Sequence, residues 1–186
     1  VFATAHVEAT LLLMDMLEKS GLVTMVGKVS MDTSAPDGLR EPDAASAARA
    51  VRSWLEAAQG RYERTQPMLT PRFIPSCSDA LLRELGAIQR ESGLPVQSHL
   101  SENRGEVQLV RELCPWSAFY GAAYDEYGLF GGDGRDTVMA HCVLSEEPEL
   151  ELIRERGVYI AHCPASNMNV SSGIAPVRRF LDMGLR

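Results

Sequence analysis

Basic charge is scarce in this chain. Its 186 residues carry 18 Lys and Arg against 25 Asp and Glu, a formal charge of −7, and the cations are scattered. A grip on nucleic acid needs a basic face that displaces counterions, so that class of partner is excluded. Long apolar runs are missing too. Leu11-Leu12-Leu13-Met14 is broken at once by Asp15, far short of the roughly 18 residues a membrane span needs. Cys77, Cys114, Cys142 and Cys163 lie far apart and form no CxxC, which excludes a zinc ribbon and offers no disulfide framework. With no signal-peptide pattern either, a reducing, cytoplasmic setting is the expectation. There is no GxSxG elbow for a serine nucleophile, and the Ser171-Ser172-Gly173 run lacks the strand-to-helix placement that would expose one. Gly131-Gly132-Asp133-Gly134 precedes a strand pattern, whereas a phosphate cradle opens a helix. The H-x-E with P-C-x-x-C arrangement of the nucleotide-type zinc deaminases is also absent.

What the chain does have is hydrophobic content of 45%, enough for a substantial core, and a repeated alternation of short apolar strands with helical patterns. That alternation predicts a parallel α/β sheet. Residues 2–6 read as the end of a strand, followed by a helix over about 8–18 that Gly21 terminates. A second strand is expected near 22–28, a helix capped by Asp43 and running to about Gln59, and a third strand near 66–73. Ser78 is the expected N-cap of a helix over 79–91, with Gly93 in the stop position. Strand four is 94–99 and the next helix 104–113. Residues 114–135 read as an irregular excursion. Strand five is 136–141, Ser145 is read as the cap of a helix over 146–156, strand six is 158–161, and a last helix covers 175–183. No interdomain linker appears, so residues 1–186 are taken as a single domain.

Histidine is scarce as well, four in all, and three of them close predicted strands: His99, His141 and His162. In a closed parallel barrel such strand ends line the mouth where metals and substrates are held. Glu102 follows His99 by three residues. A strand-end imidazole can ligate a divalent metal while a carboxylate one turn on moves a proton of the bound water. The residues alone leave another reading open, in which His99 is structural and Glu102 an acid placed favourably at a helix N-terminus. Arg72 offers several donors to a ring carbonyl and Phe73 a face to cover a flat ring; equally, Arg72 can pair with a loop carboxylate. Cys142 and Cys163 follow His141 and His162, and strand alternation predicts that they pack as small buried thiols.

Taken together, the segments Thr70-Pro71-Arg72-Phe73-Ile74-Pro75-Ser76-Cys77-Ser78, Gln97-Ser98-His99-Leu100-Ser101-Glu102-Asn103, Met139-Ala140-His141-Cys142 and Ala161-His162-Cys163-Pro164-Ala165-Ser166-Asn167 resemble the amidohydrolase superfamily. HxxE and HCPxSN resemble many of its deaminases and chlorohydrolases. Arg72-Phe73 with Ser76-Cys77-Ser78 resembles the guanine deaminase branch. The resemblance implies a (β/α)8 TIM-type barrel, here only strands 2 to 7, and so a piece of a longer protein. It implies that His99 and His141 are metal ligands, that Glu102 is the catalytic proton shuttle, and that His141 also acts in catalysis beside the metal and the nucleophilic water. It further implies that Arg72, Phe73 and Gln97 contact a small purine substrate, with zinc, or alternatively iron, as the cofactor. His162 receives no firm role and His6 none. A homodimer is implied for the full-length protein. The family's His-x-His pair on its first strand is not found here, where Thr4-Ala5-His6 stands, and no strand-end aspartate follows His162. The isolated chain is therefore expected to bind metal weakly or not at all and to be inactive. Two alternatives remain: a related deaminase or chlorohydrolase acting on a triazine, cytosine or adenosine-like ring, and a non-catalytic truncated protein that binds a ligand or partner.

Overall fold

The strands are short and every pairing between them is parallel. The computed structural model describes all 186 residues, which divide into two units: Val1–Arg72 with Ser76–Pro95, and Phe73–Pro75 with Val96–Arg186.

The first unit holds α1 (Val7–Ser20), β1 (Thr24–Val26), β2 (Val29–Ser30), α2 (Ala44–Ala58), β3 (Thr65–Pro67), β4 (Thr70–Pro71) and α3 (Asp79–Ser92). β1 pairs with β3 and β2 with β4. The expected second and third strands are thus each broken into two pieces, with Gly27-Lys28 and Met68-Leu69 between them. The expected first strand is reduced to a single parallel bridge, Phe2 to Gly27. Still, Val29 N donates to Thr4 O and Ala3 N to Gly27 O, so the backbone runs alongside as a strand would. Met14, Val26, Trp54 and Ala58 form a buried cluster on which Val7, Leu11 and Tyr62 pack.

Helix ends follow the sequence closely where a cap was legible. The Asp43 carboxylate accepts from Ser46 N at the start of α2, and Gly21 and Gly93 end α1 and α3 with left-handed φ of 77° and 67°, which glycine adopts without penalty. Ser78 Oγ accepts from Leu81 N at 3.1 Å and donates to the buried Asp32 Oδ2 at 2.6 Å. Ser78→Ala removes a cap and leaves that carboxylate short of a donor, so we expect a loss of about 2 kcal/mol, the upper end for caps. Urea unfolding measures it; a loss below about 0.5 kcal/mol would contradict the double role.

The second unit holds β5 (Val96–Leu100), α4 (Arg104–Leu113), α5 (Tyr120–Glu126), β6 (Thr137–His141), α6 (Glu147–Arg156), β7 (Tyr159–Ala161), α7 (Pro164–Asn169) and α8 (Val177–Asp182). Its sheet order is β5-β6-β7. The expected excursion contains α5, which carries the stacked, buried Tyr120 and Tyr124. Ser145 is not the N-cap of α6: Glu146 takes that position with no side-chain cap bond, and Pro148 sits in the first turn. The tolerance of Pro for a position needing no N–H starts this helix. No helix of the chain is long and apolar enough to cross a membrane.

Candidate active site

β5 and β6 bring two of the candidate residues together. In the parallel register His99 lies opposite Ala140, and Leu100 opposite His141. Regular alternation would therefore place the two histidines on opposite faces of the sheet. The alternation fails at the strand end, because His141 has φ 78° and Cys142 φ 49°, a left-handed conformation that bulky side chains rarely adopt. As a result the His99 and His141 rings stack, with centroids 5.3 Å apart and planes 14° from parallel. Phe73 meets His99 edge-on at 6.3 Å.

Glu102 lies just beyond β5, past Ser101, another left-handed residue at φ 45°. Its Oε1 is 3.6 Å from His141 Nδ1 and accepts from Ser172 Oγ at 3.2 Å. His141 Nδ1 also lies 2.7 Å from Asn167 Oδ1. Tyr124 OH donates to His99 O at 3.0 Å and is 2.7 Å from Ser98 Oγ, which anchors the end of β5. Gln97 is buried within β5. Arg72 belongs to the first unit, where its backbone N–H donates to Ser30 O and its Nη1 approaches Met31 Sδ at 3.7 Å. His162 is exposed. Cys142 is buried, with its thiol pKa pushed up by burial, while Cys163 is half-buried. The expectation of buried packing thus holds for Cys142 and only partly for Cys163.

No three His, Cys, Asp or Glu side chains are grouped so as to hold a metal ion. Catalytic zinc takes three protein ligands, so the stacked pair His99 and His141 does not by itself close a metal site.

Behind Glu102 sits a second layer of acids. Glu149 is buried and accepts from Ser101 Oγ and Gly121 N, both at 2.7 Å; burial raises its pKa. Glu106, in the first turn of α4, is raised from 4.5 to about 7, chiefly by burial and further by the charges of Glu102 and Glu149. A carboxyl raised on folding binds its proton more tightly in the folded chain. Its stabilisation is complete below about pH 4.5 and is lost as pH rises through about 7. We expect the urea midpoint to fall across that window and Glu106→Gln to flatten the fall; an unchanged slope in the variant would refute the assignment.

Asn167 and Ser172 carry no role that the sequence alone suggests. Asn167 closes the HCPxSN run, a usable signal, but Ser172 stands 70 residues from Glu102 with no local pattern linking them. Tyr124 lies in the stretch that reads as irregular.

The chain as a whole is similar to known proteins. Human guanine deaminase is 44% identical over 97% of this chain, which covers 39% of that protein. The crystal structure of guanine deaminase from C. acetobutylicum with guanine in its active site superposes with a TM-score of 0.94 at 43% identity, over all of this chain and 43% of that one. An atrazine chlorohydrolase from Arthrobacter aurescens TC1, solved with zinc, shares the fold at 17% identity and a TM-score of 0.80, over all of this chain and 41% of its own. The chain spans about two fifths of the length of these relatives. Its parallel α/β architecture is that of the amidohydrolase barrel. Matched from residue 1 to residue 186 by the model of the Amidohydrolase family, the chain belongs to that family.

Proposed function

We propose that residues 1–186 are part of the catalytic barrel domain of a guanine deaminase, which hydrolyses guanine to xanthine and ammonia. The observation that carries this reading is the cluster of His99, His141 and Glu102, with Phe73 against His99. The guanine-bound relative of nearly identical fold supports the choice of substrate.

In this reading Phe73 covers the purine ring, Gln97 helps to orient it, and Arg72, the residue before Phe73 in the chain, donates to its carbonyl. Glu102 takes a proton from the attacking water and delivers it to the departing amine, so that water adds at the amino-bearing carbon as the C–N bond breaks. His141, 3.6 Å from Glu102, stands beside that water. His99 and His141, whose rings stack 5.3 Å apart, would help to hold a divalent metal, zinc or alternatively iron. The chain's four free thiols support a cytoplasmic setting, and the full-length protein is proposed to be a homodimer.

The test supplies the remainder of the barrel from a relative. Residues 1–186 replace the matching segment of the C. acetobutylicum enzyme, and ammonia release is followed with guanine, adenosine, cytosine and a chlorotriazine. Guanine is expected to be turned over with the highest kcat/KM. Preference for another ring would overturn the substrate, and a folded, zinc-loaded chimera that releases no ammonia would favour a binding role.

A further inference from the structure

The segment after β7 reaches back both to Glu102, the proposed proton shuttle, and to His141, beside the attacking water. Asn167, at the end of the HCPxSN run, is 1% exposed, and its Oδ1 is 2.7 Å from His141 Nδ1. Ser172 donates to Glu102 Oε1 at 3.2 Å. The two belong to one locally braced piece, because Ser172 N donates to Asn167 O at 2.8 Å and Ser171 turns the chain between them with φ 58°.

His141 Nδ1 therefore meets two oxygens, the Asn167 amide oxygen and the Glu102 carboxylate oxygen at 3.6 Å. A lone pair on Nδ1 would oppose the carboxylate, whereas a hydrogen there is attracted by both acceptors. The reversed amide would place a donor against Nδ1 and force the ring proton onto Nε2. It would also leave the Asn167 oxygen where its buried Nδ2 now lies without a partner.

We propose that Asn167 and Ser172 are positioning residues. Asn167 holds neutral His141 as the Nδ1–H tautomer, leaving Nε2 unprotonated and able to accept, and Ser172 holds the Glu102 carboxylate beside it. The inference rests on the reading of Glu102 as the proton shuttle and His141 as the group beside the water, and it gives the Asn of HCPxSN a physical role. Without that amide the ring is free to exchange tautomers and to turn Nε2 away from the reaction.

Long-range 1H–15N correlation spectra of the histidine-15N-labelled chain, recorded at about pH 8, above the ordinary imidazole range, read the tautomer directly, with His141→Gln assigning the signal. The expected result is Nδ1–H in the unsubstituted chain and in Asn167→Asp, and a mixture or Nε2–H in Asn167→Ala. In the guanine-active chimera, Asn167→Ala is expected to lower kcat about 10–100-fold, as is usual for partners that orient a ligating or reacting histidine, with little change in KM. An Nε2–H ring in the unsubstituted chain overturns the proposal, as does an Nδ1–H ring that persists in Asn167→Ala. Should Asn167→Ala fail to fold, the unsubstituted and Asn167→Asp spectra decide. The spectra need no substrate, so a chain that turns over a ring other than guanine refutes the substrate and leaves the tautomer assignment standing.

Discussion

Glu102→Gln in the chimera is expected to lower kcat for guanine by about 10²–10⁴-fold, the usual share of a positioned general acid–base group. Glutamine retains an oxygen that can accept from Ser172 Oγ and sit beside His141, where the carboxylate now lies. What it cannot do is take a proton from water and pass it on. The loss should therefore fall on kcat, with KM and the urea midpoint nearly unchanged, since Glu102 is partly exposed and anchors no core. This separates the proton-shuttle role from the alternative reading as a helix-start acid, which predicts a small change in stability and none in turnover. Activity within tenfold of the unsubstituted chimera would end the shuttle assignment.

Lys28→Met is expected to destabilise the chain by about 3–5 kcal/mol. Lys28 is only 1% exposed, yet it carries a charge in the gap between β1 and β2. Its Nζ donates to the Glu41 carboxylate and to Val29 O, and the other Glu41 oxygen accepts from Met31 N at 3.2 Å. Removing the cation leaves a shielded carboxylate without its partner, and that desolvated charge is the source of the cost. The double change Lys28→Met with Glu41→Gln should recover much of the loss, because it removes both charges and keeps an acceptor for Met31. Denaturant midpoints of the two variants measure the difference. If Lys28→Met alone lies within about 1 kcal/mol of the unsubstituted chain, the ion pair is not what holds this loop.

Local chemistry was legible along much of the chain. α4 has the bounds 104–113 that its sequence predicts, and α3 is capped by Ser78 and Gly93 as its sequence implies, because caps and helical periodicity act within a few residues. The same short range explains where the structure departs from the local pattern. Ser145 has the residue type of a cap, but Glu146 occupies the position and Pro148 in the first turn starts the helix. α5 was hidden in a stretch rich in Gly and Tyr, and its helical state depends on packing: Tyr124 is fully buried and bonds Ser98 and the His99 carbonyl.

The candidate site shows the same division. The strand-end histidines, the HxxE spacing and the parallel α/β class follow from the order of residue types alone, because a period of two and a period of 3.6 are written in consecutive positions. That His99 and His141 stack on one another does not follow, since alternation puts them on opposite faces and only the left-handed backbone at His141 reverses it. Nor does the brace from Asn167 to His141 and from Ser172 to Glu102, which joins positions 26 and 70 residues apart. The sequence by itself determined which candidate residues the chain carries and at the ends of which strands. The tertiary structure decided how those groups face one another, because hydrogen bonds between distant segments depend on how the whole chain closes and leave no local pattern to read.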